Sequence, residues 1–388
     1  MKKLLLCAAA LLLLALPCLA EESGEAARET FTAGDYTYAL LDDGTAEIVR
    51  YAGNLATPAI PSEVDGHPVT SIGDGAFASN WDLRNAIIPD GVRRIGDAAF
   101  DGCELLRSVF LPDSVTEIGD NAFYFCWSLS TLSMPEHMTA LGERAFGFCE
   151  SLPRADIPAG IREIRPGTFW GCGRLAAVTI PDSVTAIGEY AFYDCRKLKE
   201  ASLPAGLTVI GDHAFNACVS LTDVTIPDGV TSIGEGAFMG CQGLTELIIP
   251  ESVTSIGDWG FAFCVKITGA AEDESSRSGY VLEGYGLKRL VVSGSVAVIG
   301  NDTFSGNHLL TEVILGEGVT AIGENAFTSC LNLRSVTVPD SVTAIDATAF
   351  AACENATFTV GAGSFAERFC REQGLAYVCS GEAESAEE

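Results

Sequence analysis

Basic residues are scarce in this chain: 23 lysines and arginines stand against 52 aspartates and glutamates, for a formal charge of -29. Nucleic acid and anionic membrane faces are recognised through lysine and arginine, so neither is expected as a partner. What remains is a cationic or polar partner and good solubility. Long apolar runs are equally rare. Leu4 to Leu16 is one of 13 residues, and no other run approaches the ~20 needed to span a membrane. Histidine occurs four times, as His67, His137, His213 and His308, at unrelated points of the sequence pattern, so none has an evident serine or carboxylate partner for catalysis. The cysteines never form the close CxxC pairs of zinc sites.

The one apolar run belongs to a removable leader. Lys2 and Lys3 precede it, and Cys18-Leu19-Ala20 offers a small-residue cleavage site before Glu21, so residues 1–20 are expected to be a signal peptide and the protein to be exported. Pro17 immediately before Cys18 is a poor fit to a lipoprotein signal.

Most of the remaining chain is one sentence rewritten. Cys103, Cys126, Cys149, Cys172, Cys195, Cys218, Cys241 and Cys264 are 23 residues apart, and the count resumes at Asn307, Cys330 and Cys353 and extends back to Asn80. Phenylalanine keeps the same step from Phe77 to Phe261 and again at Phe304, Phe327 and Phe350. A fixed period of this size signals a solenoid, in which each repeat buries its apolar side only against its neighbours. Leu175 to Lys197, LAAVTIPDSVTAIGEYAFYDCRK, shows the unit. Val178 and Ile180 alternate with Ala177 and Thr179, as in a strand with one buried face. Pro181-Asp182 ends that strand in a turn. Val184 and Ile187 mark a second extended piece, Gly188 a tight corner, and Glu189 to Cys195 one or two turns of helix with Ala191 and Phe192 inward. The fold predicted is an α/β repeat solenoid, a right-handed stack of about twelve 23-residue coils on the order of 60 Å long at ~4.8 Å per coil.

Residues 21–51 are read as an acidic leader, disordered to Thr32, followed by a capping hairpin around Asp42-Asp43-Gly44. Residues 52–267 form a first repeat block and 280–361 a second, separated by a solvated loop at 268–279, with Tyr280 to Leu282 restarting the stack. Residues 362–379 make a helix-and-strand cap, in which Ser364 to Gln373 is helical and closed by Gly374. Residues 380–388 are a low-complexity acidic tail.

Three columns invite chemistry. Stacked cysteines come within disulfide range, but parallel side chains disfavour the disulfide dihedral and asparagine substitutes in the column, so buried thiols are expected. Cys370 and Cys379 in the end cap are better disulfide candidates. Asp74, Asp97, Asp120, Glu143, Glu189, Asp212, Glu235, Asp258 and Glu324 follow the corner; calcium binding is one reading, and capping of the short helices is the simpler one. The outward positions of the main strand are where a ligand is expected, because the other columns are taken by the core. They are apolar at both ends of the stack, as Ile87, Phe110, Ile248, Val291 and Ile314, and Thr/Ser in the middle, and the neighbouring column adds Arg154 and Arg289. Strand propensity of β-branched residues is the competing account of that face.

The repeated IPDSVTAIGEYAFYDC, with the opening IPSEVDGHPVTSIGDGAF and the closing GSFAERFCREQGLAYV, resembles the BspA-type leucine-rich repeat proteins of bacterial surfaces. Departures are Arg165-Pro166 in place of glycine and acid, Asp346 in place of glycine, and Asn80 and Asn307 in place of cysteine; the first is expected to loosen one corner. The resemblance implies an exported or surface-held adhesion module for extracellular-matrix or neighbouring-cell proteins, and brings no catalytic residues. The expectation is therefore a secreted or cell-surface binding module, without cofactor or metal, that takes a protein or glycan partner on its strand face and the 268–279 loop. The alternatives are a spacer with no ligand and a polysaccharide-acting enzyme built on Arg154, Asp156 and Glu200.

Overall fold

The computed structural model describes residues 28–265 and 286–380. The expected signal peptide, the 268–279 loop, the restarting strand at Tyr280 to Leu282 and all but Ser380 of the acidic tail lie outside the described residues. The chain winds into a β-solenoid of about 14 turns at ~23-residue spacing. That is more than the twelve phenylalanine-bearing repeats because the caps add turns of their own.

Each coil contributes to two parallel faces. A long face carries strands such as Ala177–Thr179, which pairs in register with Arg154–Asp156 before it and Glu200–Ala201 after it. A short face carries two-residue strands such as Ala186–Ile187, paired with Glu163–Ile164 and Val209–Ile210. In the unit repeat Leu175, Val178, Ile180, Val184, Ile187, Ala191, Phe192 and Cys195 are all buried. The alternation along the sequence becomes an inside and an outside because successive strand side chains leave on opposite faces. The phenylalanines form a continuous spine from Phe77 to Phe350, with centroids 4.9–5.8 Å apart and rings within 14° of parallel. Spacing near the strand repeat means that one ring per coil fills the core at every level.

The expected short helix is replaced by a run of turns. Tyr190 and Asp194 have φ of 55° and 61°, outside the helical region. Alternate amides here cross to the next coil: Tyr190, Phe192 and Asp194 donate to the carbonyls of Asp212, Ala214 and Asn216 at 2.8 Å. A helix would direct every amide along its own axis and leave this third side of the stack without pairing. Cross-coil bonding wins because each amide must find a partner and the neighbouring coil offers one at every second residue.

The inserted segment does not interrupt the stack. Ile256 pairs with Ile299, Ile248 with Val291, and Phe261 stacks on Phe304, so one 43-residue step joins consecutive coils. An interruption occurs elsewhere. The short-face ladder ends at Ala140–Leu141 and restarts at Glu163–Ile164, and the long-face ladder ends at Thr131–Ser133 and restarts at Arg154–Asp156. The coil that follows the break carries Arg165-Pro166 at the corner. At other corners an added Cβ would strike the preceding coil's backbone: at Gly142 it would sit 2.3 Å from the Gly119 carbonyl carbon. Arg165 has that Cβ, and the coils part on both strand faces. Its guanidinium reaches across to Asp120 and Glu143, at 3.2 and 2.9 Å, and a cleft of about 700 Å³ opens between Leu141 and Arg162.

At the N-terminal end β1 (Thr30–Ala33), β2 (Tyr36–Leu40) and β3 (Ala46–Tyr51) form an antiparallel meander, and β3 pairs with the first short-face strand, His67–Ile72. The hairpin matches the turn signal. The added strand β1 lies in a stretch read as disordered from composition to Thr32; the apolar Phe31 in it packs on Tyr38 with ring centroids 5.5 Å apart. At the other end α1 (Phe365–Gln373) is capped by the Ser364 side chain and closed by Gly374 at φ 69°, and a final strand, Ala376–Ser380, pairs with Thr357–Gly361.

Candidate binding face

The long face presents the outward residues that the sequence singled out, and the registers decide which of them meet. Ile87 and Phe110 are paired neighbours, each 54% exposed. Six coils further on Ile248, Val291 and Ile314 form an unbroken row; Ile248 is 64% exposed and the other two are half-buried. The two groups are about 30 Å apart at the usual strand spacing, so one small ligand does not touch both. Arg154 lies between them, turned onto Asp156 of its own strand at 2.7 Å. Arg289 belongs with the second group: it sits in register between Glu246 and Glu312 and bonds Glu312 at 2.8 Å.

Beside that second group the long face opens again. After Glu200–Ala201 a single bridge joins Glu200 to Asp223, Val224 to Ile226 belong to no strand, and the ladder resumes only at Glu246–Ile249. Two clefts flank this coil. One of about 520 Å³ is lined by Glu200, Ser202, Asp223 and Asp228 among others, and one of about 360 Å³ by Asp223, Thr225, Glu246 and Ile248.

Two of the three columns, the cysteines and the acids after the corner, turn out to be structural. Each Cys Sγ from Cys103 to Cys264 donates to the carbonyl of the phenylalanine 26 residues earlier, at 3.1–3.3 Å. Asn307 does the same work with Nδ2, bonding the carbonyls of Phe261 and Phe304 at 2.9 and 2.8 Å, which explains why asparagine replaces cysteine there. The acidic column does not cap helices. The Oδ1 atoms of Asp74, Asp97, Asp120, Asp212 and Asp258 each accept the amide at the same position of the next coil, at 2.7–2.9 Å, and Asn301 continues the series. No such bond comes from the glutamates of that column; the residue facing Glu143 is Pro166, which has no amide to give. Among the described residues no cluster of three or more metal-ligating side chains occurs. Cys370 is a free, buried thiol, so the disulfide considered with Cys379 is not formed.

Burial holds the thiols of Cys103 and Cys264 up at about 12, and those from Cys126 to Cys241 well above their ordinary range. In the unfolded chain the same thiols ionise near pH 9. A folded pKa above the unfolded one means that the native state keeps protons the unfolded chain releases. Stability is therefore fully present below about pH 9 and falls as pH rises from about 9 to about 12. Urea unfolding across that range should give a shallower decline for Cys195→Ala than for the parent chain; equal slopes would remove the column as the cause.

Aromatics on the turn side escaped the sequence reading. Phe125, Phe148, Trp170, Tyr190 and His213 run across successive coils with centroids 5.0–5.5 Å apart. They occupy three positions of the repeat rather than one, so no single 23-residue column reveals them. Phe148 leans over Gly171, where an added Cβ would lie 2.7 Å from its ring.

A stack of in-register strands with a conserved-length coil and one buried phenylalanine per level defines a leucine-rich-repeat solenoid. The family model for the BspA type leucine rich repeat region matches residues 70–199, 162–277 and 271–357, and the chain belongs to that family. Among solved structures it is similar to a leucine rich cell surface protein from Faecalibacterium prausnitzii, with 30% identity, a TM-score of 0.58 and coverage of 89% of this chain and 98% of that one. It is also similar to a leucine-rich repeat protein from Bacteroides ovatus, with 26% identity, a TM-score of 0.62 and coverage of 90% and 99%. No curated protein matches the chain. No helix among the described residues is long and apolar enough to cross a membrane.

Proposed function

We propose that this protein is a non-catalytic binding module, exposed at a cell surface or secreted, that docks a protein of the extracellular matrix or of a neighbouring cell on its long-strand face. The observation that carries the reading is the register: outward apolar side chains stand in rows, Ile87 with Phe110 and Ile248 with Val291 and Ile314, on a face whose inward positions already fill the core. Exposed apolar residues in line favour burial against a partner, and interfaces draw most of their energy from a few such anchors. The cell-surface description of the Faecalibacterium relative and the leader-like residues 1–20 support the location.

Replacing Phe110, Ile248 and Ile314 by serine together should abolish capture of partner cells or matrix proteins. These side chains face outward, so the thermal midpoint should move by no more than a degree or two. Unchanged binding by the triple variant would exclude this face as the site.

A further inference from the structure

The second breach in the long face coincides with a run of like charges, and those charges point to what fills it. The outward column two residues before the apolar row runs Glu200, Asp223, Glu246, Arg289, Glu312 in successive coils. Where the signs alternate, from Glu246 through Arg289 to Glu312, the ladder is complete over four residue pairs, and the guanidinium lies 2.8 Å from a Glu312 oxygen. Where three carboxylates follow one another the ladder shrinks to the single bridge between Glu200 and Asp223 and then stops, and all three are exposed. Like charges directly opposite one another destabilise neighbouring strands, and among the described residues the ion pair of this column is the one between Arg289 and Glu312, one step beyond these three. The result is a gap with clefts of about 520 and 360 Å³ on its two sides, a coil at Val224 to Ile226 whose main-chain groups stand outside any ladder, and Ile248 exposed on the rim.

We infer that this gap receives an extended segment of the partner protein carrying an arginine or lysine, whose cationic head sits among Glu200, Asp223 and Glu246. The segment takes the part that Arg289 plays one step along the same column. Strand-like addition supplies main-chain bonds to Val224 to Ile226, side-chain pockets supply choice, and the cation supplies both specificity and salt dependence. The inference rests on the long face being the binding face, and it names the chemistry of one part of it.

The test uses the full chain and a labelled pentapeptide, Thr-Val-Arg-Val-Thr, capped at both ends, with a norleucine version as control. The arginine peptide should bind saturably, about tenfold more tightly than the norleucine peptide, and should weaken as salt rises. Asp223→Arg places a cation in the gap from within; it should raise the thermal midpoint, slow hydrogen exchange at Val224 and Thr225, and lower peptide affinity at least tenfold. Glu136→Arg, which changes the net charge equally at a distant turn, should leave peptide binding within twofold. Equal affinity for the two peptides, or equal losses in Asp223→Arg and Glu136→Arg, would overturn the inference and show attraction to net charge alone. If the peptide fails while the serine triple variant still loses its natural partner, the cleft assignment falls and the binding face stands.

Discussion

Phe192→Ala is expected to cost roughly 3 to 5 kcal/mol, the largest loss from any single truncation in the middle of the stack. The side chain is fully buried, and its ring lies between Phe169 and Phe215 at 5.5 and 5.2 Å, tilted from them by 7° and 11°. Truncation removes the transfer energy of a phenyl ring, leaves a cavity that a rigidly paired backbone on three sides cannot close, and ends two stacked contacts worth about 0.5 to 1.5 kcal/mol each. Because a solenoid couples only adjacent coils, the loss should fall on the interfaces on either side of residue 192. Urea unfolding with hydrogen exchange should therefore show amides near Phe169, Phe192 and Phe215 losing protection before those near Phe100. A cost below about 1 kcal/mol, or uniform loss of protection along the chain, would mean that the spine is not what holds the coils together.

The buried half of this molecule was legible in the sequence because a solenoid writes each core position many times. One leucine column or one phenylalanine column would be ambiguous in a single coil; twelve copies at a constant step leave one geometry. What was misread was local. Glu189 to Cys195 has the spacing of a helical turn, yet its amides bond across coils, and periodicity within one repeat carries no information about bonds between repeats. The aspartates after the corner were assigned to helix ends for the same reason. Their true partner is the amide at the same position of the next coil, a bond made by the aspartates and Asn301 but not by the longer glutamates that share the column.

The outward side of the long face was legible in part. Periodicity placed Ile87, Phe110, Ile248, Val291 and Ile314 outside, and the registers divide them into two separate groups. Arg154 and Arg289 looked alike in sequence, one column apart from the apolar row. The first is neutralised by Asp156 on its own strand, and the second bridges to the next coil. The gap at Asp223 coincides with a run of like charges down a column, which becomes visible only when residues 23 apart are read as contacts.

The corner glycines make the last prediction a matter of distance. Gly142→Ala should destabilise the protein by about 3 kcal/mol or more, whereas Gly173→Ala should be neutral or stabilising by up to about 1 kcal/mol. Neither residue has a positive φ, so backbone freedom does not separate them. At Gly142 the new methyl would lie 2.3 Å from the carbonyl carbon and oxygen of Gly119 and 2.4 Å from the Asp120 amide nitrogen, all backbone atoms that cannot turn aside. At Gly173 nothing lies within 4 Å. Relief at Gly142 requires the coil to move away from its predecessor, which breaks the bond from the Gly142 amide to the Ile118 carbonyl, now 2.8 Å, and the pairing of Ala140–Leu141 with Glu117–Ile118. The chain already contains one such separation, at Arg165 in the next coil, so the variant would place two wedges in succession. Thermal melts of the two alanine variants measured side by side decide the point. Equal midpoints would mean that the corner glycine serves some end other than the close approach of neighbouring coils, and the account of the break at Arg165 would fall with it.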